Sequence, residues 1–209
     1  MNGNQNEAKI YLFTGASGSG KTTRALTLIN KKKQNRTLIW SPKEAIDNYA
    51  SKYAGTVICS SVGEVLAIAK KAYPNKPFHV VFKPALKRDI DEKDFHAFCK
   101  IALAAGNAAV IVDELHTVTR PTWSPDGWRE LVMMGRGYAM TVCGMSQRPA
   151  DMDKSFFGNA SIVNTGRLSN PADQKTMAEA LGVKKQEIAE LNGYLWVERN
   201  NLTGKITKG

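Results

Sequence analysis

Residues 15–22 read GASGSGKT, the spacing G-x-x-x-x-G-K-[ST], and follow directly on the apolar run IYLF at residues 10–13. A strand that turns through glycines into a helix is the setting a phosphate-binding loop requires, and the letters carry its chemistry. Gly15, Gly18 and Gly20 permit the tight path that turns successive backbone N–H groups toward phosphate oxygens. The helix expected to begin near Lys21 points the positive end of its dipole the same way. Lys21 is placed to bridge the outer phosphates as a point charge, and the Thr22 hydroxyl to fill one corner of a Mg²⁺ octahedron. Residues 24–29 supply the helix itself, with Ala25, Leu26, Leu28 and Ile29 clustered at helical spacing. The stretch predicts binding of a nucleoside triphosphate, ATP with Mg²⁺, through Gly15, Ala16, Ser17, Gly18, Ser19, Gly20, Lys21, Thr22 and Thr23, with Thr22 also a metal ligand.

Outward from this loop, strands and helices alternate. Residues 37–40 and 56–60 read as β-rich runs, 62–72 as a helix, 79–82 as a strand stopped by Pro84, and 95–105 as a helix ending at Gly106. Continuous apolar strands between helices predict a mainly parallel sheet covered on both faces. The apolar run AAVIV at 108–112 then meets Asp113 and Glu114. In a parallel sheet the carboxyl ends of the strands border one crevice, so this pair is expected beside the phosphate loop, the Walker B arrangement. Asp113 is the expected metal ligand, through the water shell, and Glu114 the group that orients or deprotonates the water attacking the γ-phosphate. A helix over 128–136 and an apolar strand over 140–145 place Gln147 at the top of that strand. Its uncharged amide can hydrogen-bond both a γ-phosphate oxygen and the attacking water. The predicted fold class is α/β, a P-loop NTPase of the RecA/ASCE type with a mainly parallel sheet between helices. One domain is expected over residues 9–202, with tails at 1–8 and 203–209.

The bulk composition bounds the partners. The chain has 209 residues and 43% hydrophobic content, enough for one sizeable core. A formal net charge of +10 favours a polyanionic partner, nucleic acid first. Cys59, Cys99 and Cys143 are odd in number and lack a nearby Cys or paired His, so they read as reduced core thiols in a cytosol. His79, His96 and His116 show no metal-ligand spacing and read as structural. The polar N-terminus lacks a signal-peptide core, and the longest apolar region, 101–112, is interrupted by Gly106 and Asn107, so no membrane span is expected.

Residues 135–182, GRGYAMTVCGMSQRPADMDKSFFGNASIVNTGRLSNPADQKTMAEALG, resemble the FtsK/HerA superfamily of DNA-pumping ATPases. The shared pattern is an Arg-Gly-type helix end, an apolar strand, Gln-Arg-Pro, a strand leading to Arg, and an Asn-Pro-x-Asp helix start. With both Walker motifs the resemblance covers most of residues 10–182; over 37–107 only the order of elements matches. A chain with little beyond this core is most similar to the genome-packaging ATPases of tailless, membrane-containing icosahedral viruses. The resemblance implies ATP hydrolysis coupled to translocation of double-stranded DNA. It also implies a homo-oligomeric ring, usually a hexamer, with ATP between subunits, and docking on capsid or membrane proteins at a packaging vertex. A host-cytoplasmic or virion-associated location goes with that role. In such rings an arginine of the neighbour completes the site. Arg136 matches best by position and Arg167 is the second candidate, since a planar, permanently charged guanidinium can bind two phosphate oxygens. A surface salt bridge is the competing role for either.

The DNA-contacting surface is harder to read. Lys31, Lys32, Lys33 and Arg36 form the densest basic cluster, yet they end a helix, where cations are favourable and merely solvated. Residues 83–88 and a loop carrying Arg120, Trp123 and Trp128 are alternatives, with burial competing against base stacking for the Trp rings. Two other functions fit parts of the pattern. A small-molecule P-loop kinase would need an acceptor pocket and usually an Arg-rich lid. A filamentous-phage-type virion assembly ATPase typically carries a transmembrane segment.

Overall fold

The computed structural model describes residues 10–31 and 34–209, so the tail expected at 1–8, and Lys32 and Lys33 of the basic cluster, lie outside the described residues. β1 (Ile10–Thr14) leads through the glycine-rich turn into α1 (Lys21–Lys31), followed by β2 (Arg36–Trp40) and α2 (Glu44–Asp47). β3 (Val57–Cys59), α3 (Val62–Lys71), β4 (Phe78–Phe82) and α4 (Arg88–Ala105) come next. β5 (Ala109–Val112), α5 (Asp126–Met134), β6 (Thr141–Ser146), α6 (Lys154–Asn159) and β7 (Ile162–Thr165) complete the parallel part. The chain ends with α7 (Pro171–Leu181), α8 (Lys185–Ala189), β8 (Val197–Asn200) and β9 (Ile206–Lys208).

The strands form one sheet in the order β3-β4-β2-β5-β6-β1-β7-β8-β9. β1 to β7 run parallel, while β8 pairs antiparallel with β7 and β9 with β8. Period-2 alternation divides the central strands between two cores. Leu12, Val110 and Val112 point to the face covered by Phe95 and Phe98 of α4, Trp128 of α5 and Leu181 of α7. Tyr11, Phe13, Ala109 and Ile111 point to the other, covered by Ala25, Leu26 and Ile29 of α1. Both faces are buried, which is why these strands read as continuous apolar runs. This is the α/β sandwich expected from the sequence. Cys59, Cys99 and Cys143 are all buried free thiols.

Three details differ from the sequence reading. α4 begins at Arg88, seven residues before the first strongly apolar turn, because Asp89 and Asp91 suit the positive end of its dipole and Asp91 Oδ1 accepts the Ala85 N–H at 3.1 Å. The run at 56–60 gives only the short edge strand β3, whose Val57 and Ile58 are exposed. Residues 203–209, expected as a tail, instead contain β9. Its register pairs Arg199 with Ile206 and Val197 with Lys208, and Trp196 and Gly209 exchange backbone hydrogen bonds of 2.7 and 3.1 Å. Backbone pairing, the buried Val197 of β8 and the Lys208–Glu187 ion pair hold this hairpin, while no side chain of β9 is buried, so its polar sequence carries no periodic signal.

Candidate active site

β6 lies between β1 and β5, so three adjacent strands deliver the phosphate loop, Gln147 and the Asp113-Glu114 pair to one rim. The registers align them: Thr14 is opposite Ser146, and Val112 opposite Gly144. Residues 17–23, Asp113, Glu114 and Gln147, joined by Lys43 and Tyr194, line a single cavity of about 360 Å³. Gly15 and Ala16 do not line it but shape the loop from behind. Gly15 takes φ +145°, and a Cβ there would collide with the Ser19 hydroxyl. Its N–H donates to Ser146 O at 3.2 Å, and the Ala16 N–H to Arg167 O at 2.7 Å, tying the loop to the ends of β6 and β7.

Asp113 is buried and oriented from two sides. Its Oδ1 accepts the Glu114 N–H at 2.9 Å and its Oδ2 accepts the Tyr49 hydroxyl at 3.1 Å. With the Thr22 hydroxyl on the same cavity, this offers two hard oxygen donors. Such a set fits Mg²⁺, which takes one or two protein ligands and completes its shell with phosphate and water.

Glu114 is 3% exposed and adopts the left-handed conformation, φ 50°. Lys43 Nζ and the Gln147 side-chain amide both donate to Glu114 Oε1. Oε2 is buried without a hydrogen-bond partner, with His116 Nδ1 at 3.5 Å. Burial pushes the Glu114 pKa up, but the Lys43 hydrogen bond and charge, with Lys21 and His116, outweigh it and hold the carboxyl below its ordinary value. His116, read as structural from sequence, thus belongs to the site. Its Nδ1 lies 3.0 Å from Ser146 Oγ, and burial, which outweighs Glu114, lowers its pKa.

Gln147 is fixed from behind. Ser146 Oγ accepts the Arg148 N–H at 2.9 Å, and buried Asp173 accepts the Ala150 N–H at 2.9 Å. Asp173 is the last letter of the Asn-Pro-x-Asp start of α7, where the Asn170 side chain caps Ala172 N–H. The motif at α7 therefore serves the turn that carries Gln147.

A family model described as zonular occludens toxin (Zot) matches residues 9–170. The chain belongs to the Zot family. Protein P9 of Pseudoalteromonas phage PM2 is 26% identical to the Zot-family chain over 185 residues, 87% of this chain and 78% of that protein. The genome packaging NTPase B204 of Sulfolobus turreted icosahedral virus 2, in complex with AMPPCP, superposes with TM-score 0.72 at 14% identity, over 96% of each chain. VirB4 of Thermoanaerobacter pseudethanolicus superposes with TM-score 0.69 at 11% identity, over 100% of this chain and 90% of that one. The solved structures bear out the P-loop NTPase fold and, in fold, the likeness to a genome packaging NTPase.

Elsewhere in the Zot-family chain the arginine candidates separate. Arg167 lies beside its own phosphate loop, its Nη2 donating to Ser17 O at 3.3 Å. Arg136 is exposed at the opposite rim, donating to Ser161 Oγ at 3.0 Å, where Ser161 N–H in turn bonds Ile10 O at the start of β1. The basic cluster loses Arg36, which is buried and spends its guanidinium on Pro74 O and Ala105 O. Trp128 is fully buried, so it stacks on no base, while Arg120 lies over the partly exposed Trp123 ring at 4.8 Å on a tight turn. Lys43, Tyr49 and Tyr194 were not legible as site residues, since each depends on which strands are neighbours. Among the described residues no helix is long and apolar enough to cross a membrane, and no cluster of metal-ligating side chains suits a further ion.

Proposed function

We propose that this protein is an ATP-driven double-stranded DNA translocase that packages a viral genome. The observation that carries the reading is the convergence of Lys21, Thr22, Asp113, Glu114 and Gln147 on one triphosphate-sized cavity. The backbone of residues 17–22 holds the α- and β-phosphates, and Lys21 reaches the β- and γ-phosphates. When bound with the nucleotide, Mg²⁺ would be held by Thr22 and Asp113 and would supply charge neutralisation on the phosphoryl oxygens. Gln147 orients a water in line with the γ-phosphorus. Glu114 Oε2, which no donor occupies, accepts the water's proton as the new P–O bond forms and the bond to the β-phosphate oxygen breaks, giving ADP and phosphate.

The cargo assignment is supported by the likeness in fold to a viral genome packaging NTPase and by the net charge of +10. On the nucleotide-bearing rim the exposed Lys83 and Lys87 after β4 suit backbone phosphates, with Arg88 and the half-buried Arg120 beside them, both ion-paired with Glu92. The reading predicts an oligomeric ring whose ATP turnover rises on adding duplex DNA. Raising salt from about 50 to about 200 mM should abolish most of that stimulation, by counterion release. An assembled oligomer whose turnover ignores duplex DNA at low salt would overturn the DNA assignment. Transfer of phosphate to a nucleoside monophosphate in place of release to water would point to a kinase.

A further inference from the structure

Tyr194 lies on the turn between α8 and β8 and is 75% exposed, yet it borders the same cavity as the phosphate loop. Its ring edge rests on the loop itself: a Cβ built on Gly20 would stand 3.4 Å from Tyr194 Cδ1. Arg24, in the first turn of α1, fixes that approach. Its Nη2 donates to Ser19 O at 2.9 Å and its Nη1 to Tyr194 O at 3.3 Å, so one guanidinium clamps the turn to the phosphate loop. Arg24 also lies against Gly166, whose Cβ would stand 2.9 Å from Nη2, which leaves the clamp little room to swing.

A large ring held in solvent beside a phosphate site contributes little to the core, whereas its free face matches the chemistry of a nucleobase. The residues around Gly20 to Thr23 cradle the inner phosphates, and Glu114 with Gln147 marks the γ end. The nucleoside therefore leaves the loop on the side where Tyr194 stands. We propose that Tyr194, positioned by Arg24, is the nucleobase subsite, with the base of the triphosphate stacked on its exposed face. This rests on reading the crevice as a nucleoside triphosphate site. Stacking gains with ring area and is indifferent to base edges, so ATP and GTP should bind alike and both more tightly than CTP or UTP.

The test is calorimetric titration of the intact protein with Mg²⁺ and either ATP or inorganic tripolyphosphate, which has the phosphates and no base. Tyr194→Ala should weaken ATP binding about tenfold or more and leave tripolyphosphate unchanged, while Tyr194→Phe and Tyr194→Trp retain ATP affinity. The preference for purine over pyrimidine triphosphates should vanish in Tyr194→Ala. Unchanged ATP affinity in that variant overturns the proposal. Equal loss of ATP and tripolyphosphate overturns it too, assigning Tyr194 to the packing of the loop. If wild-type protein binds neither compound, it is the nucleotide-site reading that fails.

Discussion

Glu114 is buried, charged and in the left-handed region of backbone space, three conditions that a carboxylate meets together only when its surroundings compensate. Lys43 is the principal compensation. Because the folded carboxyl titrates below its ordinary value, Glu114 adds stability above its unfolded pKa, and that stability is lost as pH falls through the folded pKa. Lys43→Met removes the largest lowering influence and leaves the burial that raises the pKa. The acid limb of the kcat/KM profile should therefore move to higher pH. Lys43 is partly exposed, so the stability cost near neutral pH should be only about 1 kcal/mol, read as a fall in Tm of about 2–4 °C. Glu114→Gln is the reference variant: it should keep nucleotide binding and cut turnover at least about 100-fold. An acid limb that stays put in Lys43→Met would show that Glu114 is not the titrating base. Lys43 escaped the sequence reading because a lysine after Ser-Pro carries no local signal. Its meaning appears only once β2 is known to neighbour β5, and strand order is a tertiary property.

At the scale of elements, β6 shows what the sequence declares and what it conceals. Its apolar run and the Gln147 at its end were legible, as were β1, β5 and the phosphate loop, since each joins a continuous hydrophobic stretch to a polar terminus. Hidden from sequence was the insertion of β6 between β1 and β5, which puts Gln147 at the centre of the crevice. Hidden too was the reason for Gly144 in mid-strand. A Cβ there would sit 2.6 Å from Phe156 Cε1 and 3.0 Å from Leu115 Cδ2, and Phe156 is pinned by Trp128 at a ring-centroid distance of 5.0 Å. α6 can pack on the sheet only over a strand that lacks a side chain at this point. Gly144→Ala should thus cost about 1–3 kcal/mol through overpacking, and Tm should drop by several degrees. The shift also bears on Gln147, three residues on and just past the end of the strand, so kcat should fall in protein that is still folded at assay temperature. A variant with wild-type Tm would show that α6 yields freely. β8 and β9 mark the opposite case: Val197 is the one buried residue in β8 and β9 has none, so a reading based on side-chain periodicity passes over them.

For the whole molecule, the placement of Arg136 decides whether one chain is a complete enzyme. Arg136 bonds Ser161 at the end of the sheet where β1 begins, and Ile10 to Thr14 is four residue steps, about 13 Å of strand, from there to the phosphate loop. An arginine side chain does not span that distance and return to its own γ-phosphate. Any role for Arg136 in hydrolysis must be played on a neighbouring copy, in a head-to-tail contact that brings one subunit's amino rim to the next subunit's crevice. Arg167, bonded to its own Ser17 O, is placed to act within its chain. The two therefore predict different results on mixing. Arg136→Ala and Lys21→Ala proteins, each inactive alone, should recover activity when assembled together, because some sites combine an intact Lys21 with a neighbour's intact Arg136. With equal mixing and random order, one half times one half gives about a quarter of sites restored. Arg167→Ala mixed with Lys21→Ala should recover nothing, since every chain with a working Lys21 still lacks its own Arg167. Recovery in the second mixture and none in the first would exchange the two roles.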